Sequence, residues 1–235
     1  MKILALECSG VAASAALLEN GVLVSEAFTN AKITHSQTLL KMAVDTLAAA
    51  KIEVKDIDGF AVSAGPGSFT GVRIGISAVK GLAQPFNKPC VAVSSLSAIA
   101  ENFKGQDCLV CAVLDARCNQ VYNALFKIEN GKITRLTEDR AMKSADLAKE
   151  LAKKRTRGKI VVAGDGAFVF YPFVKENKKV ILAQNTLLYQ RASGVATCAE
   201  NDFLTGNTVS SKEILPIYLR LPQAERELKA KRSKE

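Results

Sequence analysis

The sequence predicts an α/β protein of two similar lobes, each a mixed sheet with helices packed on it. Two observations carry this. A strand–strand–strand–helix–strand–helix order can be read twice along the 235 residues. Both copies turn between their second and third strands on an Asn-Gly pair, Asn20-Gly21 and Asn130-Gly131, the dipeptide whose left-handed backbone suits a tight hairpin.

In the first copy, Ile3–Glu7, Ala12–Leu18 and Val22–Phe28 read as strands. A helix over Ser36–Lys51, a strand over Asp58–Ser63 and a helix over Thr70–Ala83 follow. In the second, Cys108–Leu114, Gln120–Ile128 and Lys132–Thr137 read as strands. A helix over Ser144–Lys154, a strand over Lys159–Ala163 and a helical stretch over Ala167–Glu176 complete it. The polar stretch Asn102–Gln106 is the expected divide, giving lobes at 1–103 and 104–235. Beyond Leu187 a further helix and a strand in LPIYLR (215–220) are expected, this last segment returning across the first lobe.

Composition excludes several classes. A content of 48% hydrophobic and 23% charged residues is that of a folded chain, not a disordered one. No apolar run approaches the ~18 residues that cross a bilayer. Lys2 precedes only four apolar residues before Glu7, too few for a signal peptide, so no membrane and a cytoplasmic location are expected. Cys108 and Cys111 are formally C-x-x-C, but strand alternation sends them to opposite faces; the six cysteines read as reduced and buried. The net charge of +9 is concentrated in 149–159, in 175–179 and in the mixed run 225–235, which reads as a fraying helix or disordered end. Solvated charge is the ordinary reading of these runs, and nucleic-acid contact the alternative.

The segment 61–83, AVSAGPGSFTGVRIGISAVKGLA, joins a strand to a helix through a glycine loop, a common place for backbone N–H groups to meet a phosphate. Its spacing, G-x-G-x-x-x-G from Gly65 to Gly71, is one residue too long for a dinucleotide fingerprint, and the Gly-Lys-Ser/Thr of a P-loop is missing. Gly71 and Gly75 lie one turn apart on one helix face, with Ala78 and Gly81 beyond. Small residues there admit either a second helix or closer packing inside the lobe.

AGPGSFTGVRIG with AVKGLA resembles the signature of the bacterial TsaB family, a subunit of the machinery that makes threonylcarbamoyladenosine beside the tRNA anticodon. The resemblance extends over MKILALECSG, ITHSQTLL, PCVAVSSLSA, LDARCNQVYNALF, GDGA and LPIYLR. It implies an actin-like, RNase H-like architecture. In that fold a nucleotide sits between the lobes, and acidic residues end the first strand of each. Here those are Glu7 and Asp115, with Gly164 and Gly166 of GDGA as further cofactor-binding candidates; GDGA reads equally as a tight strand-to-helix turn. The family pattern opens Asp-Thr-Ser, whereas this chain has Glu7-Cys8-Ser9, a departure that weakens an inherited phosphate site.

The lone histidine, His35, cannot supply the two imidazoles of a helical zinc motif, and no G-x-S-x-G supports a serine nucleophile. It reads as a helix-start residue with Thr34 or Ser36 as cap, or as a partner contact. The helix it opens has two apolar stripes, Leu40, Ala43, Leu47 and Ala50 on one side and Leu39, Met42, Thr46 and Ala49 on another. Such a helix is either deeply buried or awaits a partner. The partner face expected from this pattern and the resemblance comprises His35, Leu39, Met42, Thr46, Gly71, Val72, Gly75 and Ala78.

The resemblance further implies a non-catalytic subunit that binds the catalytic subunit TsaD through these two helices. TsaE would complete the complex, and the chain would pair with itself when alone. No cofactor or metal is required of the chain; ATP or ADP with magnesium, and tRNA, would be met in the assembled complex. The alternative is an autonomous actin-like ATPase or small-molecule kinase using Glu7, Asp115 and GDGA.

Overall fold

Alternation along a strand decides how the first lobe is layered. The computed structural model describes residues 1–156 and 158–220; the run 225–235 lies outside them. The first lobe holds β1 (Lys2–Glu7), β2 (Ala13–Glu19), β3 (Val22–Thr29), α1 (His35–Ala49), β4 (Gly59–Gly65), α2 (Phe69–Ala83), β5 (Cys90–Ser94) and α3 (Ser95–Glu101). Leu4 and Leu6 of β1 point to one face with Phe60 and Val62, where α1 and α2 cover them. Ile3 and Ala5 point to the other face with Ala61 and Val91.

The second lobe repeats the plan with β6 (Cys108–Asp115), β7 (Gln120–Glu129), β8 (Lys132–Arg135), β9 (Arg140–Lys143), α4 (Ser144–Lys153), β10 (Ile160–Ala163), α5 (Ala167–Phe170) and β11 (Val180–Leu182). The sheet orders are β3-β2-β1-β4-β5 and β11-β10-β6-β7-β8, so β6 stands where β1 does. In each sheet the first three strands are antiparallel and the remaining pairings parallel, except that β9 also pairs antiparallel with β7. Helix α6 (Ala192–Thr205) then crosses back: Ala192, Val195, Ala196 and Ala199 cover the Ile3–Ala5 face of the first sheet.

Three elements differ from their sequence reading. The strand expected over Lys132–Thr137 ends at Arg135 as β8, where the Thr137 hydroxyl accepts from Leu125 N at 2.9 Å and turns the chain, and an additional strand, β9, then pairs with the start of β7. The helix expected over Ala167–Glu176 stops at Phe170 and tightens to a 3-10 turn, Tyr171–Phe173, around Pro172, which has no N–H to continue the ladder. LPIYLR is no strand. It is an extended strap held by Ile217 N donating to Ala64 O at 2.7 Å, interrupted by Pro216. The short β5 and α3 carry too little periodicity to be read; the Ser94 hydroxyl, accepting from Ser97 N at 3.3 Å, starts α3.

Candidate functional site

Two places on this frame collect the expected residues: the cleft between the lobes, and the groove between α1 and α2. The cleft has a volume of about 470 Å³ and lies at the carboxyl ends of β1 and β6, walled by Ser9–Val11, Gly67–Phe69, Asp115–Arg117 and Asp165.

Glu7 does not line it. The side chain is fully buried, and one carboxylate oxygen accepts from Ser9 N at 2.6 Å and Ser9 Oγ at 2.7 Å while the Ser63 hydroxyl donates to the other. Burial pushes this carboxyl above the ordinary range, with the serine donors opposing. Cys8 turns its thiol to Gly71 O at 3.1 Å. Asp115 does reach the cleft, but Arg117 holds it, through its N–H at 2.7 Å and its guanidinium at 3.2 Å.

GDGA is the turn and not the phosphate loop. Gly164 N donates to Leu188 O at 2.6 Å and Gly166 N to Val113 O at 3.2 Å, so neither N–H remains for a ligand. Gly164 has φ of +106°, and a Cβ there would stand 2.0 Å from Val113 O, which explains the glycine. The residue between them is one that sequence reasoning missed. Asp165 Oδ2 accepts from Val11 N at 3.0 Å and Oδ1 from Asp115 N at 3.1 Å, tying the lobes together. Burial raises its carboxyl, the two N–H donors oppose, and the charge of Asp115 adds to the rise. An aspartate between two glycines after a strand was the available signal.

A magnesium nucleotide does not fit these groups as they stand. Glu7 is enclosed by serines, Asp115 faces a guanidinium, Asp165 is engaged by two backbone donors, and the Gly164 and Gly166 amides are taken by the carbonyls of Leu188 and Val113. Across the mouth lies the strap: the Tyr218 ring stacks on Phe69 at 4.6 Å and its hydroxyl accepts from Arg73 Nε at 2.7 Å, while Arg220 donates to Ala116 O. The strap thereby touches both lobes.

The second place corrects the expected interface. Leu39, Met42 and Thr46 are 1%, 9% and 1% exposed, and the Thr46 hydroxyl donates to Ala15 O at 3.2 Å. Their stripe is the one that faces the sheet. Gly71, Val72 and Gly75 are buried too. A Cβ at Gly71 would lie 2.0 Å from Cys8 O, and one at Gly75 3.0 Å from Val62 Cγ2. These glycines seat α2 on its own sheet and leave no room for an outside helix. The two stripes on α1 had looked alike because Ala43 and Leu47, from the other stripe, are buried beside them.

Of the expected face, His35, Leu39 and Ala78 line an open groove of about 500 Å³ between α1 and α2, Leu39 as part of its buried floor, with Leu40 and Ile74 beside them. Leu40 is 50% exposed, and Val44, one turn further along α1, is 59% exposed. His35 opens α1; its Nε2 donates to Gly10 O at 2.8 Å and Nδ1 is buried without a partner. Thr34 is the cap residue by position, yet its side chain makes no capping bond. Among the described residues no three His, Cys, Asp or Glu side chains converge as metal ligands would, and no helix is long and apolar enough to cross a membrane.

Comparison with known proteins agrees with this architecture. The family described as "TsaD: tRNA N6-adenosine threonylcarbamoyltransferase" matches residues 24–228. The tRNA threonylcarbamoyladenosine biosynthesis protein TsaB of Escherichia coli K12 is 32% identical over 222 residues, 94% of this chain and 95% of that one. The solved structure of YeaZ from Pseudomonas aeruginosa superposes with a TM-score of 0.79 at 30% identity, covering 93% of this chain and 99% of that chain. Component A of the Acidaminococcus fermentans (R)-2-hydroxyglutaryl-CoA dehydratase, at 13% identity and a TM-score of 0.50 over 84% of this chain and 97% of that one, shares the fold alone.

Proposed function

The chain belongs to the TsaB family of tRNA threonylcarbamoyladenosine biosynthesis proteins, and we propose that it acts there as a non-catalytic subunit that docks and organises TsaD through the groove between α1 and α2. The observation that carries this reading is the apolar outer surface of the two helices: Leu40 and Val44 on α1 are half or more exposed, and Leu40 lines the groove with the half-buried Ile74 and Ala78 of α2. Ser77, Ala78 and Gly81 keep the outer surface of α2 low, which lets a partner helix come close; nothing lies within 4 Å of where a Gly81 Cβ would be.

In this reading the transfer of a threonylcarbamoyl group from its adenylate to N6 of the anticodon-adjacent adenosine takes place on TsaD, with TsaE completing the complex. Nucleotide, magnesium and tRNA are met by the assembly. Without TsaD, a second copy of this chain covers the same strip about a two-fold axis. A stable contact needs roughly 800 Å² from each partner, more than one helix supplies.

Binding of TsaD by titration calorimetry tests the reading. Ala78→Arg, placed where the partner comes nearest, is expected to weaken binding about 100-fold, roughly 2.7 kcal/mol, and to abolish self-association in light scattering. Its thermal unfolding should match the parent, since the side chain meets solvent. Unchanged binding would place the interface elsewhere. The rival, an autonomous ATPase or kinase, finds less support in a cleft whose Glu7 is enclosed and whose Gly164 and Gly166 amides are bonded. Magnesium-ATP turnover of about 1 per second or faster by the isolated chain, lost in Asp115→Asn, would favour it.

A further inference from the structure

Seven of the nine net positive charges of the chain sit in two short runs. Residues 149–159 hold six basic side chains against one acidic, and 175–179 hold three against one. The fold brings these runs side by side. At the amino-terminal ends of the neighbouring parallel strands β10 and β11, Lys179 Nζ donates to Thr156 O at 3.3 Å and Lys159 Nζ to Lys178 O at 3.1 Å. The acidic members do little to neutralise the patch. Glu150 is held by Arg140 at 2.7 Å, and Glu176 only reaches Lys175 at 4.0 Å. Among the described residues, no carboxylate pairs with Lys154, Arg155, Lys178 or Lys179.

A second observation falls on the same edge. Phe173, on the 3-10 turn packed against α4, is 45% exposed and stands two residues before Lys175. A groove of about 670 Å³ also opens there, at the ends of β6 and β7, lined by Lys154, Arg155 and Thr156 together with Asp107 and the Lys127–Glu129 ion pair. This edge is at the end of the second sheet opposite the cleft. A dense cationic surface drawn from two distant parts of the chain suits a polymer of regularly spaced anions, because each neutralised phosphate releases condensed counterions. An open aromatic ring beside it suits an unpaired base, whose flat face stacks on it whatever its sequence. A lipid surface or an acidic peptide uses the charge but has no flat ring to present to Phe173.

We propose that this edge of the second lobe is an RNA-binding surface that holds a single-stranded or loop segment of tRNA, the phosphates on Arg155, Lys178 and Lys179 and a base on Phe173. The proposal rests on the family reading for the identity of the RNA, but it is independent of the α1–α2 groove.

Fluorescence anisotropy with the full chain and a labelled, unmodified tRNA transcript tests it. Affinity is expected to fall steeply with salt, and Arg155→Glu/Lys178→Glu/Lys179→Glu to lose at least about tenfold at about 50 mM salt, with the log–log salt slope reduced by roughly 0.7–0.9 for each contact removed. A first-lobe control, Lys41→Glu/Lys55→Glu, should bind tRNA as the parent does. Phe173→Ala should weaken tRNA several-fold and leave a fully paired RNA duplex unaffected. Circular dichroism and unchanged thermal unfolding certify the folding of each variant. Equal tRNA affinity of the triple variant and the control overturns the proposal. So does competition by polyglutamate, or by mixed phosphatidylserine–phosphatidylcholine vesicles, as strong as that of tRNA. If the parent binds tRNA at this edge but no TsaD, the docking reading fails and the RNA surface stands; with the reverse result, the surface alone fails.

Discussion

In the cleft between the lobes, polar groups find one another. Glu7 is closed off by Ser9 and Ser63, Asp165 joins Val11 N to Asp115 N, and Arg117 covers Asp115. In the groove between α1 and α2, on the first lobe, Leu40 is 50% exposed, and Ile74 and Ala78, although packed against the core, are only half-buried. The two regions share α2: its inner face, with Gly71 and Gly75, seats the glycine loop against the cleft, and its outer face forms the groove. The cleft thus satisfies itself and joins the lobes, while the groove is incomplete. A partner completes apolar surface; it adds little to hydrogen bonds already made.

The sharpest way to break this contrast is to charge the two faces of α2 in turn. Gly75→Arg drives a cation into the space between Val62 and Cys8, and should destabilise the chain by more than about 4 kcal/mol in a denaturant titration. The same charge at Ala78 should leave stability within about 0.5 kcal/mol. Equal stability of the two variants would mean that the inner and outer faces have been exchanged. The next largest effect belongs to Asp165→Ala, which strips the acceptor from Val11 N and Asp115 N at once. A loss of about 2 kcal/mol is expected in thermal unfolding; no loss would remove Asp165 as the tie between lobes.

The smallest effect concerns Glu7 and is read through pH. Its carboxyl is raised above 4.5 by burial, so the folded chain holds a proton more readily than the unfolded one. That contribution to stability is fully present below 4.5 and is lost as pH rises through the folded value. Asp165, also raised, adds in the same direction. Glu7→Gln is expected to flatten the fall in stability between acid and neutral pH without abolishing it. An unaltered slope would show that Glu7 is not held in this state.

How far the sequence could be read follows from what each signal depends on. The Asn-Gly turns and the alternation of Ile3–Glu7 and Gln120–Ile128 are local, and they were enough for two matching lobes. The faces of α1 were not legible, since Leu39 and Leu40 are both leucine and only the sheet beneath decides which is covered. Gly71 and Gly75 were legible as positions needing small residues, but what approaches them, Cys8 just past β1 and Val62 on β4, lies elsewhere in the chain. Glu7 was placed at a strand end correctly, yet its enclosure depends on Ser63, brought beside it only by the pairing of β1 with β4. Asp165 was hidden for the same reason: its two donors come from different lobes.

The most direct test of the contrast is threonylcarbamoyl transfer to tRNA by TsaD reconstituted with variants of this chain. With Ala78→Arg, the activity should fall to that of TsaD without this subunit, while Asp115→Asn, which alters only the cleft, should retain nearly all of it. Full activity with Ala78→Arg and loss with Asp115→Asn would contradict the account, and would place the working surface of the chain in its cleft.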